Sequence, residues 1–369
     1  MASILLIIDG MQDIEYPELG GQTPFGHARC SNILKTESTG LVGMMATVPP
    51  GYPPDSLYCI SNILGVHRKP NGRAYFEALA VGVETGGGDL IMRCNIVRVE
   101  DGVVTSSCGA GLSEADMKRL ALSTAGILPK GYRICHMSTY KNILVAENSG
   151  DRISDIKIFA PHQNIGMEFD KFLPSGNDFA DALSEYIVKS HEMLKDYAIL
   201  PWGESTKTQM PSFSEVHGVK GAAVCKTEIA VGIARSIGLY TPDILGTTGD
   251  ADTDLNAKAE EAVKLMREYD FLLVHVNGAD EAGHRKNPVE KSEFIGNVDK
   301  IIVDRLLSAM SDGDSLLVCS DHATVCRTGS HTDGPVNIWF TRKGKDLGGA
   351  DMGTINGSDC VSVCRNAGA

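Results

Sequence analysis

Three short apolar runs constrain the fold of this chain most strongly, because each one leads into residues that can bind metal. The runs cover residues 4–8, 271–276 and 315–320 of a chain of 369 residues. Continuous apolar runs of this length are typical of parallel strands buried on both faces. Ligands bind at the carboxyl ends of such strands, so the residues that follow the runs should meet at one edge of a sheet. Those residues are Asp9 after the first run, Asp280 and His284 after the second, and Asp321, His322 and later His331 after the third.

Imidazole and carboxylate groups are the ligand set that Zn²⁺ and Mn²⁺ prefer. Three Asp and three His are more than one ion needs, so the pattern predicts a site for two metal ions. Each residue also has an ordinary alternative role. Asp9 alone could be a turn residue or helix cap, Asp280 and His284 could be a surface pair on a helix, and Asp321 and His322 could lie in a loop. The metal prediction depends on their recurrence at three strand ends.

Ser56 is a candidate nucleophile at the start of a predicted helix over residues 55–64. It follows Pro53, Pro54 and Asp55, a sequence that is also an ordinary helix start with a capping serine. A helix N-terminus favours anions, and metal coordination lowers the pKa of a hydroxyl group. Spacing alone does not single out Ser56 among the serines of the chain.

The order of the remaining elements predicts an α/β protein with a mostly parallel sheet covered by helices on both faces. The length suggests two domains at ~150 residues per domain. Residues 89–159 differ, because they predict a hairpin around Glu100, Asp101 and Gly102, then a helix, then further strands that include 156–159. We therefore expect a discontinuous core at 1–82 and 176–369 and an inserted α+β cap, a substrate lid, at 83–175.

The composition excludes several classes of partner. The net charge of −13 argues against nucleic acid and anionic membranes as partners. No apolar stretch approaches the ~18 residues of a membrane span, and the run at 4–8 is too short for a signal peptide. The ten cysteines form no CxxC pair, and several lie in apolar runs. We therefore expect reduced cysteines and a cytoplasmic protein.

The chain resembles the alkaline phosphatase superfamily and, within it, the archaeal-type cofactor-independent phosphoglycerate mutases. The most specific matching segments are HVNGADEAGH at 275–284 and SDHATVCRTGSHTDGPV at 320–336. Further matches lie in family order along nearly the whole chain: IIDGMQD at 7–13, PPDSLYCISNILG at 53–65, GRAYFEALAVG at 72–82, GDLIMRCNIVRV at 88–99, PSFSEVHGVKGAAV at 211–224 and GTTGDADTD at 246–254. The resemblance implies a phosphatase-like core with an inserted cap.

The resemblance also implies how the site is shared between two divalent ions, Mn²⁺ or Zn²⁺ with Mg²⁺ as a third option, and that no 2,3-bisphosphoglycerate is needed. Ser56 would accept a phosphoryl group and become a phosphoserine. All seven family ligand positions are filled: Asp9, Ser56, Asp321 and His322 for one ion, and Asp280, His284 and His331 for the other.

Cations in the cap and cleft should bind the phosphate and carboxylate of a small phosphorylated metabolite. The candidates are Arg73, Arg93, Lys141, His162 and Lys207. Each could equally be a solvated surface charge, but Arg93 is the strongest because it interrupts an apolar run at 90–97. The chain departs from the family pattern twice: residues 109–112 read GAGL without an arginine, and Lys141 stands where relatives carry arginine. Lysine cannot form the bidentate contact that arginine makes.

Three functions therefore compete. The first is isomerisation of 2-phosphoglycerate and 3-phosphoglycerate through Ser56. The second is phosphotransfer or phosphohydrolysis on another small metabolite, as in a homoserine kinase-like enzyme. The third is a non-catalytic protein with structural metals, which the complete ligand set with its serine argues against. The sequence leaves the oligomeric state open, including a homo-oligomer.

Overall fold

The chain forms two compact units in a computed structural model that describes residues 1–66 and 70–368. The first unit comprises Met1–Lys69 and Met210–Ala369, and the second comprises Pro70–Gln209. The predicted cap at 83–175 is shorter than the second unit at both ends. The difference arises because a helix before residue 83 and a strand after residue 175 both contact the sheet of the second unit.

The strands lie in both units. In chain order they are β1 (Ser3–Ile8), β2 (Leu41–Ala46), β3 (Leu90–Glu100), β4 (Val103–Ser106), β5 (Tyr132–Ser138), β6 (Lys141–Ala146), β7 (Tyr197–Thr206), β8 (Gly221–Val224), β9 (Phe271–Val276), β10 (Ser315–Cys319), β11 (Ala323–Val325), β12 (Ser330–Thr332), β13 (Val336–Arg342) and β14 (Ala350–Asn356).

The α-helices are α1 (Pro24–Ala28), α2 (Ser31–Thr39), α3 (Ser56–Ile63), α4 (Ala74–Ala80), α5 (Glu114–Ser123), α6 (Asp178–Leu194), α7 (Phe213–His217), α8 (Glu228–Ser236), α9 (Leu255–Leu265), α10 (Gly278–His284), α11 (Pro288–Val298), α12 (Asp304–Ala309) and α13 (Cys360–Asn366). A π-helical turn, Asp299–Val303, joins α11 to α12, so residues 288–309 form one continuous helix with a π-turn in its middle.

The first unit contains a seven-stranded sheet in the order β14-β2-β13-β10-β1-β9-β8. The pairings among β10, β1, β9 and β8 are all parallel, and β14 is parallel to β2. Only β13 runs antiparallel to its neighbours. The predicted mostly parallel sheet is confirmed, and the three apolar runs of the sequence are its adjacent strands β10, β1 and β9.

Burial on both faces explains why those runs carry no polar alternation. Every residue of β1 and β9 is buried. On one face, Ile4, Leu6 and Ile8 join a core cluster with Leu255 and Ala259 of α9. Helix α13 contacts β1 and β10. The carboxyl ends of β1, β9 and β10 are in register, since residues 3–7 of β1 pair with residues 271–275 and 315–319.

The second unit has a five-stranded sheet in which β3 is the shared strand. It pairs with β7 on one side and with β6 and β4 on the other, always antiparallel. Ser113 caps the N-terminus of helix α5, because its side chain accepts a hydrogen bond from the backbone N–H of Asp116. The predicted strand–strand–helix–strand–strand order is therefore confirmed for β3 through β6.

The prediction of a strand at residues 156–159 is wrong. These residues form no regular element, although Ile156 is buried and Ile158 and Phe159 pack against the core of the second unit. The place beside β3 that a further strand could fill is taken by β7. The apolar side chains of this segment pack against the core although their backbone pairs with none of the described strands. None of the helices within the described ranges has the length and hydropathy that a membrane span requires.

Candidate metal centre

Three strand ends and two helices place the candidate metal ligands of the first unit. Asp9 follows β1 directly, Asp321 and His322 follow β10, and Asp280 and His284 lie one turn apart on α10, which begins after β9. His331 lies on β12, in the hairpin that follows β10. Ligand atoms form two groups of three within 4.8 Å of one another: Asp9, Asp321 and His322, and Asp280, His322 and His331.

The first group combines two buried carboxylates with one imidazole. His322 Nε2 lies 3.2 Å from Asp321 Oδ2 and 3.6 Å from Asp9 Oδ1. Asp321 Oδ1 accepts hydrogen bonds from the backbone N–H groups of Gly10 and His322. Its Oδ2 atom and Asp9 Oδ1 are buried, and neither accepts a hydrogen bond from any residue that the structure describes. Buried carboxylate oxygens without donors are costly unless a cation satisfies them.

The second group places two histidines around Asp280. His284 Nε2 lies 3.2 Å from Asp280 Oδ2, and His331 Nε2 lies 3.3 Å from Asp280 Oδ1. The Nδ1 atom of His284 donates to the carbonyl of Gly329, and that of His331 donates to the carbonyl of Pro54. In their neutral forms both rings therefore present an unprotonated Nε2, and these two atoms are only 3.1 Å apart. Two lone pairs at this distance need a positive charge between or beside them.

The pKa values follow from this crowding of charge. Burial raises the pKa of Asp9 well above its usual range, and the charges of Asp321 and Asp280 raise it further. Burial also acts to raise the pKa of Asp280, but hydrogen bonds from His284 and His331 outweigh burial and hold it well below its usual range. The hydrogen bond to Asp280 raises the pKa of His284 to about 9. Protons on histidine therefore supply the positive charge that divalent cations would supply.

The donor set fits divalent cations. Carboxylate oxygens without donors, imidazole Nε2 atoms fixed by carbonyl contacts at Nδ1, and a serine hydroxyl are the groups that bind Zn²⁺ or Mn²⁺. Backbone carbonyls that hold the second ring nitrogen are typical partners of metal-binding histidines.

Ser56 is brought to the same place by helix α3. Its Oγ atom lies 3.2 Å from His322 Nε2, and the residue is 8% exposed. Asp55, not Ser56, caps the helix, because its side chain accepts a hydrogen bond from the backbone of Leu57. The ordinary role considered for Ser56, a capping serine, is thus taken by its neighbour.

Sequence reasoning missed two residues of this centre. His275 lies within β9, and its Nε2 donates to Asp9 Oδ2 at 2.9 Å. Burial lowers the pKa of His275 to about 4, so this ring is neutral. The second missed residue is Thr324, whose hydroxyl contacts Asp280 and His322. A histidine inside an apolar run was a signal for the first, whereas a single threonine in the short strand β11 gives none.

Three of the five predicted substrate-binding residues lie together in the second unit. Arg93 pairs with buried Glu77 at 2.8 Å, and Arg73 pairs with the same carboxylate at 3.4 Å. The Arg93 guanidinium lies 4.1 Å from the ring centre of Trp202, and the His162 ring lies 4.9 Å from that ring. We call the following five residues the arginine cluster: Arg73, Glu77, Arg93, His162 and Trp202. Burial lowers the pKa of His162, and the charges of Arg93 and Arg73 lower it further.

The two lysines lie at strand ends of the second unit. Lys141 begins β6 and is the cross-strand partner of Asn95, which accepts a hydrogen bond from Trp202. Lys207 follows β7 and is exposed, and no described contact joins it to the arginine cluster. Glu77 and Trp202 were not predicted, although a glutamate within the apolar segment at 74–80 is a signal of a buried ion pair.

Comparison with known proteins identifies relatives along nearly the whole chain. A protein-family model described as "Metalloenzyme superfamily" matches residues 1–359 of the chain. The 2,3-bisphosphoglycerate-independent phosphoglycerate mutase 2 of Methanothermobacter thermautotrophicus is 31% identical over 364 residues, which cover 94% of this chain and 90% of the relative. The 2,3-bisphosphoglycerate-independent phosphoglycerate mutase of Pyrococcus abyssi is 29% identical, with 98% of this chain and 96% of the relative covered.

Solved structures share the fold. The PH0037 protein from Pyrococcus horikoshii gives a TM-score of 0.80 at 24% identity, with 98% of this chain and 95% of that chain covered. The cofactor-independent phosphoglycerate mutase from Thermoplasma acidophilum gives a TM-score of 0.63 at 21% identity, with 98% of both chains covered. The resemblance and the fold class predicted from the sequence are confirmed. The chain belongs to the Metalloenzyme superfamily and, within it, to the family of 2,3-bisphosphoglycerate-independent phosphoglycerate mutases.

Proposed function

We propose that this protein interconverts 2-phosphoglycerate and 3-phosphoglycerate through a phosphoserine at Ser56, without 2,3-bisphosphoglycerate. One observation carries the proposal: the Ser56 hydroxyl lies 3.2 Å from His322 Nε2, within a centre that gathers every predicted metal ligand. The names of the relatives support the substrate, since they are phosphoglycerate mutases.

Two divalent ions, Mn²⁺ or Zn²⁺ with Mg²⁺ as a third option, are part of this proposal. One would be held by Asp9, Ser56, Asp321 and His322, and the other by Asp280, His284 and His331. When bound, they would lower the pKa of the serine hydroxyl and stabilise negative charge on the phosphoryl oxygens. His322 belongs to both close groups, which supports a pair of neighbouring ions.

Ser56 carries the group transfer. Its Oγ forms a bond to phosphorus as the bond from phosphorus to the substrate oxygen breaks, and the released hydroxyl gains a proton as the serine loses one. In the return step the neighbouring hydroxyl of glycerate takes the phosphoryl group, and Ser56 regains its proton. Atoms and protons therefore balance over the cycle, as an isomerisation requires. Helix α3 directs its N-terminal backbone N–H groups toward the residues at its start, which favours a phosphate there.

The arginine cluster is proposed as the site for an anionic group of the substrate. Arg73 and Arg93 share one buried carboxylate, so these three side chains together carry a net charge of about +1. The face of Trp202 fixes the Arg93 guanidinium, which lowers the entropy lost when it binds a carboxylate or phosphate. Lys141 and Lys207 remain proposed contributors. The role of the inserted segment at 83–175 as a substrate lid that excludes water, and a cytoplasmic location, also belong to this proposal.

A second candidate is phosphotransfer to another small metabolite, such as homoserine, with ATP as donor. It is favoured by the reduced positive charge of the arginine cluster, in which Glu77 offsets one arginine, and by the missing arginine at residues 109–112. The same serine and metal ligands would serve this reaction.

Parallel assays of one Mn²⁺-loaded preparation separate the two candidates. One assay couples the conversion of 3-phosphoglycerate to enolase without 2,3-bisphosphoglycerate, and the other supplies ATP and homoserine. The mutase proposal expects turnover only in the first assay and its loss after chelation. Turnover only in the second assay would replace the mutase by the phosphotransferase.

A further inference from the structure

One buried hydroxyl joins the two groups of candidate metal ligands. Thr324 Oγ1 lies 2.5 Å from Asp280 Oδ1 and 3.3 Å from His322 Nδ1, and the residue is 0% exposed. Asp280 belongs to one close group of ligands, and His322 belongs to both. No other role in the proposed reaction uses Thr324.

The directions of these two hydrogen bonds are fixed by their chemistry. A hydroxyl has one proton to donate, and an ionised carboxylate can only accept. Thr324 therefore donates to Asp280 and must accept from His322, whose Nδ1 carries the ring proton. The Nε2 atom of His322 is then left with a lone pair, which faces Ser56 Oγ and Asp321 Oδ2. That tautomer is the one that binds a cation through Nε2.

Packing holds the threonine in this orientation. A Cβ atom at Gly10 would lie 2.6 Å from Thr324 Oγ1, and one at Gly283 would lie 2.7 Å from Thr324 Cγ2. Both glycines belong to ligand motifs, one next to Asp9 and one next to His284. The backbone is held by Lys291, whose buried Nζ donates to the Thr324 carbonyl at 2.6 Å and also pairs with Asp13 at 3.0 Å. The side chain thus has little freedom to rotate.

We propose that Thr324 is a positioning residue that sets the tautomer of His322 and the orientation of Asp280 for cation binding. The proposal rests on the metal centre of the proposed function. It explains why glycines follow both Asp9 and Ala282: a side chain at either position would displace the threonine that connects the ligand motifs.

The test compares Mn²⁺ binding by four forms of the full-length, metal-free protein, measured by electron paramagnetic resonance of unbound Mn²⁺. Thr324→Val keeps the shape of the side chain but removes the hydroxyl, and it should weaken Mn²⁺ binding by roughly 10- to 100-fold. Thr324→Ser keeps the hydroxyl and should bind within a few-fold of the unsubstituted protein. Thr341→Val is the matched control, because Thr341 lies on β13 opposite Leu316, toward the start of β10 and away from the ligands.

The outcomes separate the two proposals. If the unsubstituted protein binds neither Mn²⁺ nor Zn²⁺, the metal centre itself is wrong, and the role of Thr324 falls with it. If it binds Mn²⁺ and Thr324→Val binds equally well, the positioning role is overturned while the metal centre stands. Near-ultraviolet circular dichroism of the metal-free forms checks folding. Should Thr324→Val not fold, Thr324→Ala takes its place, and binding equal to that of Thr324→Ser would overturn the proposal.

Discussion

The two carboxylate oxygens of Asp9 have separate roles in the candidate metal centre. Oδ2 accepts a hydrogen bond from His275 at 2.9 Å, which leaves Oδ1 buried and without a described donor. The sequence could predict that Asp9 takes part, because it follows an apolar run. It could not predict which oxygen faces the other ligands, since that depends on the position of His275 in the neighbouring strand. The same holds for Thr324, whose role depends on contacts between three segments.

Substitutions at the start of helix α3 should separate chemistry from stability. Ser56→Ala should abolish turnover and leave the free energy of unfolding nearly unchanged, because Asp55 supplies the helix cap. Asp55→Ala should instead lower the free energy of unfolding by about 1 kcal/mol, as the loss of a cap does. Coupled assays and urea unfolding of both variants make the comparison. Full turnover by Ser56→Ala would remove Ser56 from the mechanism.

Arg93 should contribute to substrate binding, and Arg98 provides its control. Arg98 lies on the same strand but pairs with exposed Glu100 at 2.7 Å. Arg93→Ala should raise KM for 3-phosphoglycerate by roughly 10- to 100-fold, because a charge-assisted contact contributes about 1.5–3 kcal/mol. Arg98→Ala should leave KM within a few-fold. Equal KM values for the two variants would exclude Arg93 from the substrate site.

Strands and helices could be predicted from the sequence where the pattern of apolar residues within the element itself identifies it. Strands β1, β9 and β10 could be predicted because burial on both faces leaves an uninterrupted apolar run. Helix α6 was missed although Asn177 caps it and its buried residues recur at helical spacing. The segment 156–159 was assigned to a strand because apolar composition cannot tell a paired strand from a loop that packs on a core. Which strand pairs with β3 depends on residues far away in the sequence.

The turn between β1 and the following loop depends on Gly10. Its φ is +64°, and an added Cβ would lie 2.7 Å from Asp280 Cα and 2.6 Å from Thr324 Oγ1. Gly20 has a similar φ of +68° with nothing within 4 Å of an added Cβ. Gly10→Ala should therefore lose more stability than Gly20→Ala, whose cost is backbone strain of about 1 kcal/mol. It should also lose Mn²⁺ binding.

Urea unfolding and Mn²⁺ titration of both glycine variants measure this difference. Equal stability of the two variants, with Mn²⁺ binding retained in both, would show that the close approach at Gly10 does not shape the metal centre.

At the scale of the whole molecule, bound metal should raise the thermal stability of the protein more strongly as the pH rises. His284 has a pKa of about 9, above the value of about 6.5 for an unfolded chain. Between these values the metal-free native state binds more protons than the unfolded state, so its stability falls as the pH rises. Cations compete with fewer protons over the same range, so metal binding strengthens. The increase in Tm caused by Mn²⁺ should therefore grow from about pH 6.5 to about pH 9.

Differential scanning calorimetry of metal-free and Mn²⁺-loaded protein across this range checks the pH dependence. A difference in Tm that shrinks with pH would mean that protons on the histidines do not substitute for the cations. His284→Ala, which lacks the titrating ring, should show a flatter dependence.

The net charge of −13 describes the whole chain and not its candidate sites. Part of the negative charge is concentrated in the metal centre, where buried carboxylates require cations. The arginine cluster instead carries a local positive charge, because two arginines share the single carboxylate of Glu77. A global charge balance could therefore not predict where an anionic metabolite binds.

The most direct test of the account is the covalent state of Ser56 during turnover. Mn²⁺-loaded protein is mixed with 3-phosphoglycerate, quenched in acid at early times, digested and examined by mass spectrometry. The account predicts a phosphoryl group on Ser56 that appears with substrate, is absent after chelation and is absent in Ser56→Ala. Formation of 2-phosphoglycerate while Ser56 remains unmodified and another residue carries the phosphoryl group would contradict it.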